Sequence, residues 1–282
     1  MKIAITGATG FIGSHLKNSL LSAGHDLLLL SRNTSNIGTK IETAYFNLDD
    51  PEKIEADKLR NVEVVIHLAA FAHNNSKNLE DYLRRNYCAT KELYWKCAGV
   101  GVKKFIFVST VAVYGKSHSD CILDVNSPVE PKTPYAVSKL KAERFLLKRS
   151  KGEMVISIVR LPLVYGSNAP GNVQALVKLL SILRIIPTSR VANKRSIVNV
   201  EDLCSLLCKM GENIEIYPGL HLFSRTEPMS TQQLIKKIEI DNDISVLSFS
   251  MPLWLIKFIL QITRKQSLYE QLFGNLVFKS SI

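Results

Sequence analysis

Thr6-Gly7-Ala8-Thr9-Gly10-Phe11-Ile12-Gly13 is the stretch on which the reading of this chain turns. A short apolar strand, residues 2–6, runs into it. A helical pattern over 11–23, with Phe11, Ile12, Leu16, Leu20 and Leu21 near one face, runs out of it. The three glycines serve different ends. Gly7 permits the tight turn, Gly10 lets the backbone approach a pyrophosphate, and Gly13 lets the helix lie close to the strand. The helix start then offers free N–H groups and a positive dipole end to an anion. Three glycines alone are a weak signal, and their place between first strand and first helix makes it strong.

The pattern continues outward as alternating strands and helices. Further strands are expected at Asp26–Leu30, Thr43–Phe46, Val62–Leu68, Lys104–Val108 and Val155–Arg160, with helices over Leu79–Ala98 and from Pro134 toward Lys148. Asp26–Leu30 is a near-continuous apolar run, as a strand covered on both faces requires. This βαβ repetition predicts an α/β fold with a Rossmann-type, doubly wound parallel sheet. After Leu161 the rhythm breaks at Pro162, Pro170 and Pro187 and at Gly166 and Gly171. A helix near Val173–Leu183, a strand at Ser196–Val200 and a helix over Glu201–Met210 follow. The predicted division is a dinucleotide-binding domain over 1–160 with a return segment near 195–210, and a smaller substrate-binding lobe over 161–194 and 211–282.

The end of the second strand bears on the dinucleotide. An acid there bonds the adenine ribose hydroxyls and selects NAD. Here the strand ends in Ser31-Arg32, and a guanidinium pairs with a 2′-phosphate. The position favours NADP(H), with NAD(H) the alternative.

Tyr135-Ala136-Val137-Ser138-Lys139 sets a phenol and an ammonium four residues apart, on one helix face. The ammonium is expected to lower the phenol's pKa, so that Tyr135 exchanges a proton with a hydroxyl or ketone, while Lys139 reaches the cofactor ribose. Ser109 and Thr110 end a strand, at the edge where such sheets place ligands, and Thr110 is positioned to align the reacting oxygen.

The 36 Lys and Arg exceed the 25 Asp and Glu by a formal +11. That balance suits an anionic partner, but no long run of like charge marks a nucleic-acid arm. The five cysteines, Cys88, Cys97, Cys121, Cys204 and Cys208, form no metal-binding spacing with histidine and read as buried free thiols. His67 and His73 flank the fourth strand end and read as lining or supporting the cofactor pocket. The N-terminus reads as a fold element, and the apolar stretch near Met251–Ile262 is too short to span a bilayer, which points to the cytoplasm. The helix near Pro252–Arg264, with Lys257, Arg264 and Lys265, has an incomplete basic face. It reads as packed on the lobe, with membrane-surface contact as the other reading.

Taken together these residues resemble the extended short-chain dehydrogenase/reductase family, in its nucleotide-sugar epimerase and dehydratase branch. The likeness runs from Met1 to about Asp202 through the glycine turn, His67-Leu68-Ala69-Ala70, Asn86 with Thr90, Ser109-Thr110, Val113-Tyr114-Gly115, Pro134-Tyr135, Lys139, Arg160, Val164-Tyr165-Gly166 and Arg195 through Val200-Glu201-Asp202. The resemblance implies Thr110, Tyr135 and Lys139 as the catalytic set. It lays Asn47, Leu48, Leu68, Ala69, Ala70, Asn86, Ser109 and Pro162 along the dinucleotide, and puts Asn172 and Arg195 at the substrate, Arg195 on its diphosphate. It implies a homodimer through the helices near 79–98 and 134–148. Val111 and Ala112 replace the Asp-Glu pair that dehydratases carry after the catalytic Thr, which argues against water elimination. Leu163 stands where UDP-galactose epimerases carry Asn, which argues against the glucose/galactose pair.

The expected activity is a hydride transfer at a sugar carbon, C4, of a UDP-linked sugar, either as a 4-epimerase or as an NADPH-dependent 4-keto reductase. A non-catalytic dinucleotide-binding regulator or an RNA-binding relative would also suit the charge, but retention of both Tyr135 and Lys139 favours an enzyme, with no nucleic-acid partner and no metal.

Overall fold

A computed structural model describes residues 1–282 except 35–40, 73–77, 151, 187–190, 225–226 and 263–265. The first half alternates as its pattern predicts: β1 (Lys2–Thr6), α1 (Phe11–Ser22), β2 (Asp26–Ser31), β3 (Glu42–Tyr45), β4 (Val64–His67), α2 (Leu79–Tyr82), α3 (Ala89–Gly99), β5 (Lys104–Thr110), α4 (Pro134–Leu147) and β6 (Val155–Leu161). The long helix expected over Leu79–Ala98 is interrupted by a π turn at Leu83–Cys88. Beyond Leu161 come β7 (Leu163–Tyr165), α5 (Asn172–Leu183), β8 (Ile185–Ile186), β9 (Ile197–Asn199), α6 (Val200–Glu212), β10 (Gly219–Leu222), α7 (Thr231–Asn242), β11 (Leu247–Ser248), α8 (Leu253–Ile262) and α9 (Gln266–Phe273).

Seven parallel strands form the sheet in the order β10-β6-β5-β4-β1-β2-β3. The chain reverses direction across the sheet between β1 and β4, so a crevice opens at their carboxyl ends. Residues of alternate parity point to opposite faces. Ile3, Ile5, Leu27 and Leu29 pack with Leu16 and Leu20 of α1 and with Leu203 and Leu207 of α6. Ala4, Leu28 and Leu30 pack with Leu93 and Cys97 of α3 and with Phe145 and Leu146 of α4. Each such leucine contributes roughly 1.5–3 kcal/mol by leaving water, which explains why the strands are apolar on both faces.

Three expectations change here. Gly219–Leu222, placed in the lobe by the sequence, is the seventh strand of the main sheet, on the free edge of β6. The strand near Ser196–Val200 pairs with β7 in a separate ribbon, while α6 after it returns to pack on α1. The helix near Pro252 packs on α9 and buries Ile256, but it leaves Trp254, Phe258 and Ile262 of α8 exposed. Arg264, Lys265, His73 and Pro187 lie outside the described residues. All five cysteines are free, but only Cys97 and Cys204 are buried, while Cys88 and Cys121 lie at the surface.

Candidate active site

The glycine turn is built as its spacing requires. Gly7 has φ +71°, and a Cβ there would stand 2.9 Å from the backbone N of Ala69. A Cβ on Gly13 would stand 2.1 Å from the carbonyl oxygen of Gly7, so only glycine lets α1 sit this close to the turn. Gly10 caps α1 in an extended conformation, and its N–H closes the turn onto the Gly7 carbonyl at 2.9 Å. Among the described residues the N–H groups of Phe11, Ile12 and Gly13 meet no acceptor within the chain, as expected of a helix start that takes an anion. A side chain would fill the cradle at two of its three glycines, so the residues present fit a dinucleotide pyrophosphate.

Beneath the turn a chain of buried hydrogen bonds crosses to the helix that carries the phenol. The N–H groups of Leu68 and Ala69 donate to Thr6 Oγ1 at 3.1 and 3.0 Å. With its lone pairs occupied, that hydroxyl donates to His67 Nδ1 at 2.7 Å. His67 Nε2 then carries the ring proton and donates to Thr90 Oγ1 at 3.0 Å, and Thr90 donates to the Asn86 carbonyl at 2.7 Å. The Asn86 amide holds Phe71 through both backbone groups and donates to Ser138 Oγ at 2.9 Å. Ser138 in turn donates to the Tyr135 carbonyl at 2.7 Å. Burial holds His67 neutral, pushing it down to about 3, with the Lys139 charge adding to the effect.

Thr133 caps α4 with its side chain and Pro134 occupies the first turn, so the helix begins just before Tyr135. Packing of α4 on β5 and on the short 3-10 turn Val111–Tyr114 brings this helix start to the end of the strand that carries Thr110. Lys139 Nζ lies over the Phe107 ring, 3.9 Å from its centroid. Among the described residues neither the Tyr135 hydroxyl nor Lys139 Nζ has a hydrogen-bond partner, which leaves both for a ligand. Thr110 Oγ1 accepts from the Ala112 N–H at 3.1 Å and is half-buried at the same edge.

The electrostatics differ from the expectation. Burial pushes the Tyr135 phenol up to about 12 instead of letting its neighbour lower it. Burial also brings Lys139 down to about 7 against the opposing pull of Glu143, so near neutral pH the ammonium carries only part of its charge. The phenol therefore rests protonated.

Glu143, unremarked in the sequence, anchors the far end of this face. It is fully buried, accepts from Ser109 Oγ at 2.5 Å, and pairs with Arg160, whose Nη2 lies 2.8 Å from Oε2. Arg160 also donates to the Tyr114 hydroxyl at 2.9 Å. Glu143 continues the line of Tyr135 and Lys139 by one more helical turn, which is the signal that marks it.

The remaining expected residues divide. Leu68, Ala69 and Ala70 follow β4 beside Gly7, and Pro162 is buried directly after β6. Ser31 and the exposed Arg32 close β2 on the other side of the turn. Asn47 turns back on its own loop, accepting from the Asp49 N–H at 3.1 Å, and Leu48 packs on the core. The Ser109 hydroxyl is spent in the interior on Glu143. Tyr114 and Tyr165 are core aromatics, bonded to Arg160 and Lys237. Arg195 Nη1 donates to the carbonyls of Glu270 and Gly274 at 3.2 and 2.9 Å, tying the lobe to the end of α9. Asn172 opens α5, and its side chain lies outside the described residues.

Residues 3–219 match the NAD dependent epimerase/dehydratase family. This chain belongs to that family. A UDP-glucose 4-epimerase of Vibrio cholerae is 28% identical over 284 residues, covering 97% of this chain and 86% of the relative. An N-acetyl-alpha-D-glucosaminyl-diphospho-ditrans,octacis-undecaprenol 4-epimerase of Escherichia coli O157:H7 is 23% identical over 253 residues, covering 89% and 75%. Among solved structures, a UDP-glucuronic acid 4-epimerase from Bacillus cereus in complex with NAD superposes with a TM-score of 0.72 at 23% identity, over 89% of this chain and 87% of that one. At that identity the likeness speaks for the fold, a Rossmann-type α/β domain.

Proposed function

We propose that this enzyme carries out a stereospecific redox step at C4 of a UDP-linked sugar, with Tyr135 moving the proton. The observation that carries the reading is the pairing of a phenol and an amine, neither with a hydrogen-bond partner among the described residues, one helical turn apart at the end of the strand bearing Thr110. A nicotinamide dinucleotide, when bound, takes up or returns the hydride. The rest falls to the chain. The Gly7–Gly13 turn and the start of α1 hold the pyrophosphate. Thr110 aligns the C4 oxygen, and Tyr135 gives that oxygen a proton when a ketone is reduced, or takes one when a hydroxyl is oxidised. Lys139 binds the ribose and steadies whatever negative charge develops on the phenol. Val111 and Ala112 have no proton to give, so water elimination is not part of the activity. Asn172 and Arg195 are proposed substrate contacts from the lobe.

A 4-keto reductase using NADPH is the second reading. It is favoured by the acid-free Ser31-Arg32 end of β2 and by a phenol that rests protonated. The test is to incubate the protein with a UDP-4-keto-6-deoxy sugar and NADPH, and separately with UDP-hexoses and UDP-N-acetylhexosamines without reductant. Loss of NADPH in step with substrate supports reduction, and isomerisation without reductant supports epimerisation. Turnover of neither, with isomerisation of a polyprenyl-diphosphate-linked N-acetylhexosamine, overturns the UDP assignment. We also propose a homodimer through the exposed sides of α3 and α4, where Trp95 stands at the surface, and a cytoplasmic setting.

A further inference from the structure

We propose that the outer face of the lobe, formed by α8 and the strand pair β8–β11, docks on an anionic lipid bilayer. Among the described residues, exposed large apolar side chains concentrate here. Trp254 is 70% exposed, Phe258 55% and Ile262 66%, and their spacing of four residues sets them along one side of α8. Ile182 at the end of α5, Ile185 on β8 and Leu247 on β11 add to them, 77%, 51% and 67% exposed. The groups are close: Leu247 pairs with Ile185, Phe249 donates to the Ile186 carbonyl, and Trp254 is only five residues further along the chain. Five residues reach at most about 18 Å. No helix of the described residues is long and apolar enough to cross a membrane, so the face lies on a surface instead of spanning one.

Charge selects the occupant. Residues 172–186 and 247–262 contain Lys178, Arg184 and Lys257 and not one Asp or Glu, and all three cations are exposed. A bilayer of anionic lipid satisfies both halves of such a face, taking Trp254 and Phe258 at the headgroup boundary and the cations at the phosphates. A second copy of the chain meeting this face two-fold would bring the same cations against each other, and buried protein interfaces are depleted in lysine. The face also has a structural link to the proposed catalytic edge. α8 packs on α9, and Glu270 of α9 accepts from Ser117 Oγ at 2.5 Å, in the loop that follows the turn capped by Thr110.

The experiment uses the full chain with Trp95→Phe, which leaves Trp254 as the single reporter. Sedimentation with vesicles of phosphatidylglycerol and phosphatidylcholine in equal parts is expected to carry the protein down, with Trp254 emission moving to the blue. Trp254→Glu/Phe258→Glu, made in the Trp95-containing chain, is expected to lower the bound fraction about tenfold or more, with an unchanged melting temperature. Lys178→Glu/Lys257→Glu, which leaves the apolar side chains in place, is expected to lose the anionic vesicles too. Absence of vesicle binding overturns the proposal, as does binding that survives both double substitutions. Equal binding to pure phosphatidylcholine overturns the part assigned to charge. A dimer without lipid affinity, split by Trp254→Glu/Phe258→Glu, shows that a second copy covers the face and likewise overturns it.

Discussion

Glu143 and Arg160 face each other across the α4–β6 contact at 2.8 Å, with only 1% and 4% of their side chains open to water. Each was taken out of solvent at a large cost that the other offsets. Removing one leaves the other buried and unpaired. Glu143→Leu is therefore expected to cost about 3–5 kcal/mol, whereas Glu143→Leu/Arg160→Met together recovers most of that loss. Urea denaturation of Glu143→Leu, Arg160→Met and the double gives the cycle. A single substitution costing under about 1 kcal/mol would mean that water reaches the pair.

His67 makes stability depend on acidity. In the unfolded chain its imidazole protonates below 6.5, but in the fold not until about 3. The unfolded state thus binds more protons between those values, and native stability falls as pH drops through that window, by about 1.4 kcal/mol per unit from this residue. His67→Asn should flatten the decline by that amount. Urea midpoints at about pH 7 and about pH 5 for both proteins check it; parallel slopes would contradict the neutral, buried imidazole.

Tyr135→Phe removes one oxygen and leaves the helix intact. Turnover is expected to fall by roughly 100- to 10,000-fold, the range for loss of a general acid–base group. Dinucleotide affinity, measured by calorimetry, should stay where it was. Retained turnover would place the proton donor elsewhere.

Arg32 is exposed at the end of β2, between Ser31 and Asn33 in sequence. If it holds a 2′-phosphate, Arg32→Ala should weaken NADPH by about ten- to a hundredfold, the worth of a charge-assisted hydrogen bond, and leave NADH unaffected. Equal loss for both dinucleotides would show that the guanidinium lies on the adenine instead.

Much of this molecule is legible in its sequence because burial on both faces writes itself as apolar runs. Asp26–Leu30 and Val62–Leu68 read as strands for that reason. Gly219–Leu222 did not, since a four-residue edge strand containing glycine and histidine takes its conformation from the β6 backbone beside it. The Thr6-Gly7 turn and the Tyr135–Lys139 pair were visible as spacings. The direction of the Tyr135 shift was not, because the depth at which α4 buries its own phenol depends on tertiary packing. Glu143 looked like any acid four residues from a lysine until Arg160 and Ser109 closed around it. In α8 the apolar residues run nearly all the way round, so the pattern could not say which side is covered.

The π turn at Leu83–Cys88 adds one residue to a helical circuit. Asn86 lies within it, clamping Phe71 and touching Ser138. Deleting a single residue there would restore ordinary winding and swing the preceding turns by about 100° relative to those that follow, carrying the Asn86 amide off its partners. The spacing between the β4 exit loop and α4 is thus set by chain length at one point, and evolution would retune it through a one-residue insertion or deletion more readily than through any exchange of side chains.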